Sequence, residues 1–558
     1  MFVSLSISIY THLYIYAHTQ DNRSKLNDDN RSSRSAISYV TRNVFVGFSA
    51  AALGGLLFGY IIGVNSGIVT TGSLLCDKDD DSSKIPASYT KIGYDSCYDL
   101  SDNEKGCLTS LNLVGALIST LYCFKYGDSM GRHAELTVAS VLYTLGACIA
   151  AFAPNLIIIM IGLFVYGTGI GFAMHAAPVY IAEIAHEKSR GLLVSCKEAI
   201  IVVGMLLGYF VSFIFQNLPH YNWRVMILFA CVFSVCLGFF ISTQKRSPRW
   251  LAIKTCTSVE YTKHDVMDSL RHFRSNASES ELIKECDEIF ETVEECKSCD
   301  IDQESGQVVV CKNATEQSKS MSSSSSSGIF SLLTEYRLAL TIGCGLVILQ
   351  QVTGQPSVLY YANNIFKSAG FGDNAAICSV IVALVKLIAT VFSVLRVDRY
   401  GRRTMLLVGI SMMLFALIIL AIGFRQQYCT TDGVSVSDCD SDDLSVPSTW
   451  GFATVLALMV YVSGYQVGFG PVSWLVISEI FPLRVRSSAF SVAAASNFAS
   501  NIAVAFLFSS LQTWLTTSGA YFLYAGMSIL SLIFVIFVVP ETKGKTLEQI
   551  ETLLGYRK

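Results

Sequence analysis

The sequence predicts an all-α membrane protein with twelve transmembrane helices arranged as two six-helix bundles. Three observations predict it. Of the 558 residues, 52% are hydrophobic and only 15% charged, and the mean hydropathy is +0.48. Lipid can cover that much apolar surface, whereas a soluble fold cannot bury it all. Twelve apolar stretches reach the roughly 20 residues a helix needs to span a bilayer. Finally, two short phrases recur, one in each half: Asp128-Ser-Met-Gly-Arg132 and Asp398-Arg-Tyr-Gly-Arg402. A looser pair repeats at the same internal spacing, Glu183 with Arg190 and Glu479 with Arg486. Halves that echo each other imply two bundles around a central site, an organisation suited to moving something across a membrane.

The stretches lie near 44–69, 107–126, 135–153, 155–182, 193–217, 224–242, 337–361, 374–396, 404–424, 451–478, 488–510 and 520–539. Within hydrocarbon every backbone polar group must bond inside its own segment, which makes each stretch a helix. The resulting division is a cytosolic extension (1–43), a first bundle (44–245), a cytosolic link (246–336), a second bundle (337–540) and a cytosolic tail (541–558). Residues 1–20 are apolar and aromatic, interrupted by His12 and His18. They lack a basic start and a small-residue cleavage site, so they read as a disordered extension, with organelle targeting the alternative. The link is expected to be largely disordered. Its candidate helix runs from Glu281 to Glu295, and Ser322 to Ser327 is a low-complexity run. A phosphorylated regulatory segment is the alternative reading of this link.

Charge orients the chain. The links after stretches 2, 4, 6, 8 and 10 carry Lys125, Arg132, Lys188, Arg190, Lys245, Arg246, Arg249, Arg399, Arg402, Arg403, Arg484 and Arg486. The links after stretches 1 and 9 are acidic, for example Asp79 to Asp81 and Asp440 to Asp443. The positive-inside rule puts the basic links and both termini in the cytosol. Cys76, Cys97, Cys107, Cys429 and Cys439 then face the outer or luminal side, where Cys429 and Cys439 are a candidate disulfide. Cys296 and Cys299 form a lone cytosolic CxxC without a second ligand pair, so no metal site is expected. The sequons at Asn276 and Asn313 fall on the cytosolic side, which argues against glycosylation.

The repeated phrases occupy tight inner links. Gly131 and Gly401 permit the sharp turn. Asp128, Arg132, Glu183 and Arg190 in one half, and Asp398, Arg402, Glu479 and Arg486 in the other, supply carboxylates and guanidinium groups for charge-assisted bonds. The expectation is a gate: ion pairs that hold the bundles together at the cytosolic face and break when that face opens.

Taken together, these residues and several further motifs resemble the sugar porters of the major facilitator superfamily over essentially all twelve stretches. The motifs are Gly54-Gly-Leu-Leu-Phe-Gly-Tyr60, Pro178-Val-Tyr-Ile-Ala-Glu183 with Arg190-Gly191, Gln350-Gln-Val-Thr-Gly-Gln-Pro-Ser-Val-Leu-Tyr-Tyr361, Gly470-Pro-Val-Ser-Trp474, Ser478-Glu-Ile-Phe-Pro482 and Pro540-Glu-Thr-Lys-Gly544. The wording is similar to that of plant vacuolar and plastid-type hexose carriers. The resemblance implies the major facilitator fold, a monosaccharide substrate, no cofactor and no nucleic-acid partner. Localisation would be the plasma membrane or an organellar membrane, vacuolar or plastid. It leaves the oligomeric state and the particular sugar open.

The resemblance also implies where a sugar sits. A hexose presents hydroxyls that both donate and accept, so its site needs side-chain amides and an aromatic wall. Gln350 and Gln351 supply amides, Trp474 the wall, Tyr360 and Tyr361 an outer lid, and Asn497 and Asn501 further amides one turn apart. Phe498 and Pro356 replace a tryptophan and an asparagine common in the family. Proton-coupled members carry an acid after the motif tyrosine and a partner arginine; Ile61 and Leu163 stand there instead, which argues for a facilitative uniporter. Against that, Glu198 and Lys386 replace a glutamine and an asparagine of the sugar site. Ionisable residues at membrane depth are functional by default. The two are expected to pair across the cavity, and Glu198 keeps proton symport or antiport open. His175 reads as a packed residue more than a site residue. The facilitative hexose carrier is therefore the first reading, the Glu198-coupled carrier the second, and a transporter-like sugar sensor, signalling through the 246–336 link, the third. An enzyme is not expected, because the sequence holds no nucleophile–base arrangement, metal cluster or phosphate loop.

Overall fold

The computed structural model describes residues 40–69, 98–215, 222–257, 261–275, 277–298, 336–371, 374–426, 448–481 and 486–543, with a few isolated positions between and beyond them. The extension 1–39, Cys76, Cys97, Cys299, Cys439, Asn276, Asn313 and the serine run lie outside the described residues, as do the side chains of Arg190, Cys296, Asp398 and Arg486. The first half contains α1 (Arg42–Ile68), α2 (Asp102–Met130), α3 (Arg132–Ala151), α4 (Leu156–Ile184), α5 (Glu187–Phe215), α6 (Asn222–Leu228) and α7 (Ala230–Ser242). Next come α8 (Pro248–Thr257), α9 (Lys263–Phe273) and α10 (Glu279–Ser298). The second half contains α11 (Arg337–Val352), α12 (Gln355–Tyr360), α13 (Ala362–Phe366), α14 (Ala375–Tyr400), α15 (Arg402–Arg425), α16 (Ser448–Val467), α17 (Gly470–Ile480) and α18 (Arg486–Phe537). Two pairs of two-residue strands, Ile85–Pro86 with Tyr98–Asp99 and Tyr428–Cys429 with Leu444–Ser445, occur in outer links.

Among the described residues, 11 helical runs are long and apolar enough to cross a membrane. Three join successive helices: α6 with α7, α11 with α12, and α16 with α17. The last run, Ala489–Phe537, is interrupted at Thr516, whose φ of 66° breaks the helix. That break turns one run into two crossings, and the expected twelve are all present.

Both repeated phrases build the same turn. Gly131 (φ 84°) ends α2 and starts α3, and Gly401 (φ 91°) does the same between α14 and α15. Only glycine adopts such a φ without strain. Any side chain at Gly131 would also strike Trp250, with a Cβ 2.6 Å from its ring. Inside the first half, buried tyrosine hydroxyls satisfy themselves on backbone carbonyls: Tyr60 on Met226 at 2.6 Å, Tyr143 on Gly54 at 3.0 Å and Tyr166 on Leu57 at 2.9 Å. This is the form a polar group takes at membrane depth, where an orphaned hydroxyl is costly.

The link differs from its expected disorder over 248–298, where α8 to α10 form a small unit with its own core of Trp250, Leu251, Val266, Leu270, Leu282 and Cys286. Three apolar faces from separate segments bury one another, so no single segment advertises the fold. Thr41 donates to the Phe273 carbonyl at 2.8 Å, Arg274 to the Ile184 carbonyl at 2.6 Å and Trp250 to the Asp128 carbonyl at 3.0 Å, which anchors the unit to the inner ends of the first half.

Candidate functional site

A cavity of about 210 Å³ lies between the halves. From the first half, α1 contributes Phe58 and Ile62, α4 Met174 and Pro178, and α5 Val194, Lys197, Glu198, Ile201 and Met205. The second half contributes Gln350, Gln351, Gln355 and Tyr360 around the break in α11–α12, Lys386 from α14, Tyr465 and Trp474 from α16 and α17, and Asn497, Phe498 and Asn501 from α18. Eight of the nine residues expected at a sugar site therefore line one cavity. The exception is Tyr361. It falls between α12 and α13 with a non-helical backbone (φ −113°, ψ 18°) and turns to α2, where its hydroxyl lies 3.3 Å from Thr109 Oγ1. Pro356 and Phe498, the two departures from the family pattern, also line the cavity.

The amides are held unequally. Gln350 Nε2 donates to the Tyr465 hydroxyl at 2.8 Å, and Asn497 Nδ2 to Gln350 Oε1 at 3.5 Å, so Gln350 is fixed by α16 and α18. Gln351 Oε1 and Asn501 Oδ1 are buried without a partner. Buried acceptors that lack a donor are costly, and in a cavity they mark places where a hydroxyl or water would be bound. Trp474 packs its ring 5.2 Å from Phe490 and presents an aromatic wall.

Among the described residues, three acidic or basic side chains face this cavity. Glu198 and Lys386 approach it from opposite halves and feel each other's charge across the cavity, without an ion-pair contact inside 4.0 Å in this form. Lys386 Nζ instead lies 3.9 Å from Met205 Sδ and 5.5 Å from the centre of the Tyr465 ring. Lys197, beside Glu198 on α5, was not anticipated, although the rule that picked out Glu198 applies to it equally. Tyr465 and Met205 were also missed, for want of a sequence signal beyond their helical position, and Gln355 was missed although its amide stands inside the Gln350–Tyr361 motif.

Outside the cavity, the inner charges keep to their own halves. Arg132 donates to Asp128 at 2.6 Å and lies 3.7 Å from Glu135 and 3.9 Å from Glu183. Arg402 donates to Glu479 at 2.8 Å, whose other oxygen accepts from Thr542 at 2.6 Å. Glu541 accepts from the backbone N–H groups of Arg402 and Arg403 at 3.0 and 3.1 Å, capping the start of α15. In this inward-extending form these pairs do not bridge the bundles, the state in which the expected gate would be open. Each joins the inner ends of helices within one bundle, because the arginine starts a helix whose neighbours present the carboxylates. Behind the first cluster, Glu135 is buried and its Oε2 lies 2.7 Å from His175 Nδ1. Cys123 completes a group whose ligand atoms lie within 4.8 Å of one another. Protein partners already engage this carboxylate, and the group stands apart from the cavity.

The halves meet at the outer ends. Tyr209 donates to the Leu359 carbonyl at 2.6 Å, the Asn363 N–H to Ser66 at 3.1 Å and Asn364 to the Val69 carbonyl at 3.3 Å. The Phe58 and Phe498 rings meet across the halves at 6.3 Å. The cavity lining, in contrast, descends through Pro178, Val194, Ser478 and Phe490 to within two turns of the inner motifs. The arrangement is closed outside and extends inward.

Residues 48–554 match the family model described as "Sugar (and other) transporter". The chain belongs to the sugar transporter family. Among its relatives, the D-xylose-proton symporter-like 3, chloroplastic, of Arabidopsis thaliana is 36% identical over 94% of this chain and 85% of that protein. The probable polyol transporter 6 of the same plant is 30% identical over 81% of this chain and 87% of that protein. Among solved structures, the major facilitator superfamily proton:xylose symporter XylE bound to 6-bromo-6-deoxy-D-glucose is 25% identical with a TM-score of 0.66, over 92% of this chain and all of that one (100%). Family membership makes the protein a multi-pass membrane sugar transporter and not an enzyme.

Proposed function

We propose that the protein carries a single monosaccharide or small polyol by alternating access and that its transport is coupled to protons through the ionisable groups of the cavity. The observation that carries the substrate reading is the cavity itself, lined by both halves, in which the second half places unsatisfied amide oxygens on Gln351 and Asn501 together with the Trp474 wall. Hydroxyls would satisfy those acceptors, and the C–H face of a ring suits the aromatic wall. Relatives named as xylose-proton symporter-like and polyol transporters support pentoses and polyols beside the hexoses suggested by the sequence. Coupling is supported by those names and by three ionisable groups in a site whose substrate is neutral.

The facilitative reading keeps one specific observation in its favour. Ile61 and Leu163, at the positions of the usual acid and arginine, are both buried and apolar. Sugar uptake into proteoliposomes with and without a pH gradient separates the two: coupling predicts sugar-dependent proton entry, and uniport predicts none. A counterflow panel of labelled D-xylose, D-glucose and inositol identifies the substrate. Gln351→Ala should reduce uptake of the best of these by about tenfold or more, the scale of losing a well-placed polar contact in a buried site. Unchanged uptake in that variant would overturn the assignment of the cavity.

A further inference from the structure

Resting on the coupled reading, we propose that the transported proton is carried by Lys386, with Glu198 remaining an ionised counter-charge throughout the cycle. The cavity holds two potential ammonium groups, Lys197 and Lys386, and one carboxylate, Glu198. Fully ionised, it would carry one net positive charge in a water-poor space, and a neutral sugar brings nothing to balance it. Loss of one ammonium proton restores neutrality at the least cost.

Geometry selects which ammonium. Lys197 and Glu198 are consecutive on α5, so they move together with that helix and stay within reach of each other's charge. Glu198 therefore keeps a cation nearby in every conformation. Lys386 is on α14, in the other half, and its neighbourhood changes whenever the halves rock. Its surroundings in the outer-closed form are the Met205 thioether at 3.9 Å and the face of Tyr465 at 5.5 Å, with no carboxylate within 4.0 Å. The titratable and charged groups around it are Lys197 and Glu198 from α5, Tyr465 from α16 and Tyr360 from α12. Of these, Glu198 alone is an anion. Glu198 lies in the inner part of α5, so closing the inner face draws it toward Lys386, and opening that face takes it away. In the outward-facing form the ammonium is then paired and holds its proton. In the inward-facing form it keeps only Glu198's charge at a distance, without direct ion-pair contact, and releases that proton to the inner side. One N–H bond forms on one side of the membrane and breaks on the other, with no other bond changed.

The test is the proton-to-sugar ratio in oriented proteoliposomes, with labelled D-xylose and D-glucose as probes. Lys386→Arg supplies a cation that stays protonated. The assignment predicts that the ratio of the wild type falls to zero in this variant for whatever exchange remains. If Glu198 carries the proton, the arginine still pairs with it and the ratio persists, which overturns the assignment while leaving coupled transport intact. A wild type that moves sugar without protons overturns the coupled reading and this inference with it. Should the variant bind sugar but not exchange it, the pH dependence of binding, read by Trp474 fluorescence, decides. One linked proton gives the wild type an affinity change approaching tenfold per pH unit. The assignment predicts a flat profile for Lys386→Arg, and a preserved slope overturns it.

Discussion

The outer and inner ends of the interface between the halves are built on opposite plans. At the outer end, hydrogen bonds cross from one half to the other, by way of Tyr209, Asn363 and Asn364. At the inner end, the strongest charge pairs, Arg132–Asp128 and Arg402–Glu479, stay within a half. Neutral bonds worth about 1 kcal/mol each can be made and broken as an access route opens. Charge-assisted clusters are stronger and serve better to keep each bundle rigid while it moves. The difference teaches that, in this inward-extending form, the repeated acidic and basic phrases hold each bundle together internally, while neutral contacts at the outer end hold the halves to one another.

Four substitutions break or sharpen that contrast. The largest effect is expected at Gly106, near the outer end of α2, where an added Cβ would lie 2.5 Å from the Phe506 carbonyl oxygen of α18. Gly106→Val should wedge the outer seam open and reduce uptake about tenfold or more, since each tenfold shift needs only about 1.4 kcal/mol. Cysteine-accessibility labelling of the cavity from the outer side should rise in parallel. Glu479→Ala removes the partner of the partly buried Arg402 and should destabilise the second half by about 1.5–3 kcal/mol, seen as a lower melting temperature. If it instead left stability intact and altered only the access preference, the rigid-bundle account of the inner charges would fail. Tyr209→Phe deletes one crossing bond and should favour the outward-open form by about 0.5–1.5 kcal/mol, with little change in stability. The smallest effect is expected at Asp268, whose carboxyl is held below the usual range by a hydrogen bond and charge from Lys245 at 3.1 Å. A lowered folded-state value means that its contribution is present at neutral pH and is lost as pH falls through that value. The pair is exposed, so Asp268→Asn or high salt should leave the attachment of α8 to α10 nearly unchanged in limited proteolysis.

Much of this was legible in the sequence for identifiable reasons. The turn glycines were readable because Gly131 and Gly401 each interrupt an apolar run between acidic and basic residues, and both adopt the positive φ the turn requires. Glu198 and Lys386 were readable because ionisable groups deep in apolar helices have few reasons to be there, and Gln350, Gln351 and Trp474 through the family motifs that carry them; all five line the cavity. The Arg132–Asp128 pair was readable within its own phrase, but the contact of Arg402 with Glu479 on another helix was not. Helix periodicity shows which face of one helix is buried but not which carboxylate on a neighbouring helix comes within reach. Tyr361 illustrates the same limit: one non-helical residue turned its ring away from the cavity that Tyr360 lines. The helical unit between the halves escaped because its core combines Trp250, Leu270 and Leu282 from three short helices, none of them strongly apolar alone.

The indole of Trp250 seated on Gly131, with Arg274 clasping the end of α4, has a practical consequence. In the proposed alternating-access cycle this appendage would travel as a passenger of the first bundle and magnify its tilt like a pointer on a dial. A dye on the well-exposed Lys284, read against one on the second bundle, would turn each stroke of the carrier into a distance visible from the aqueous side.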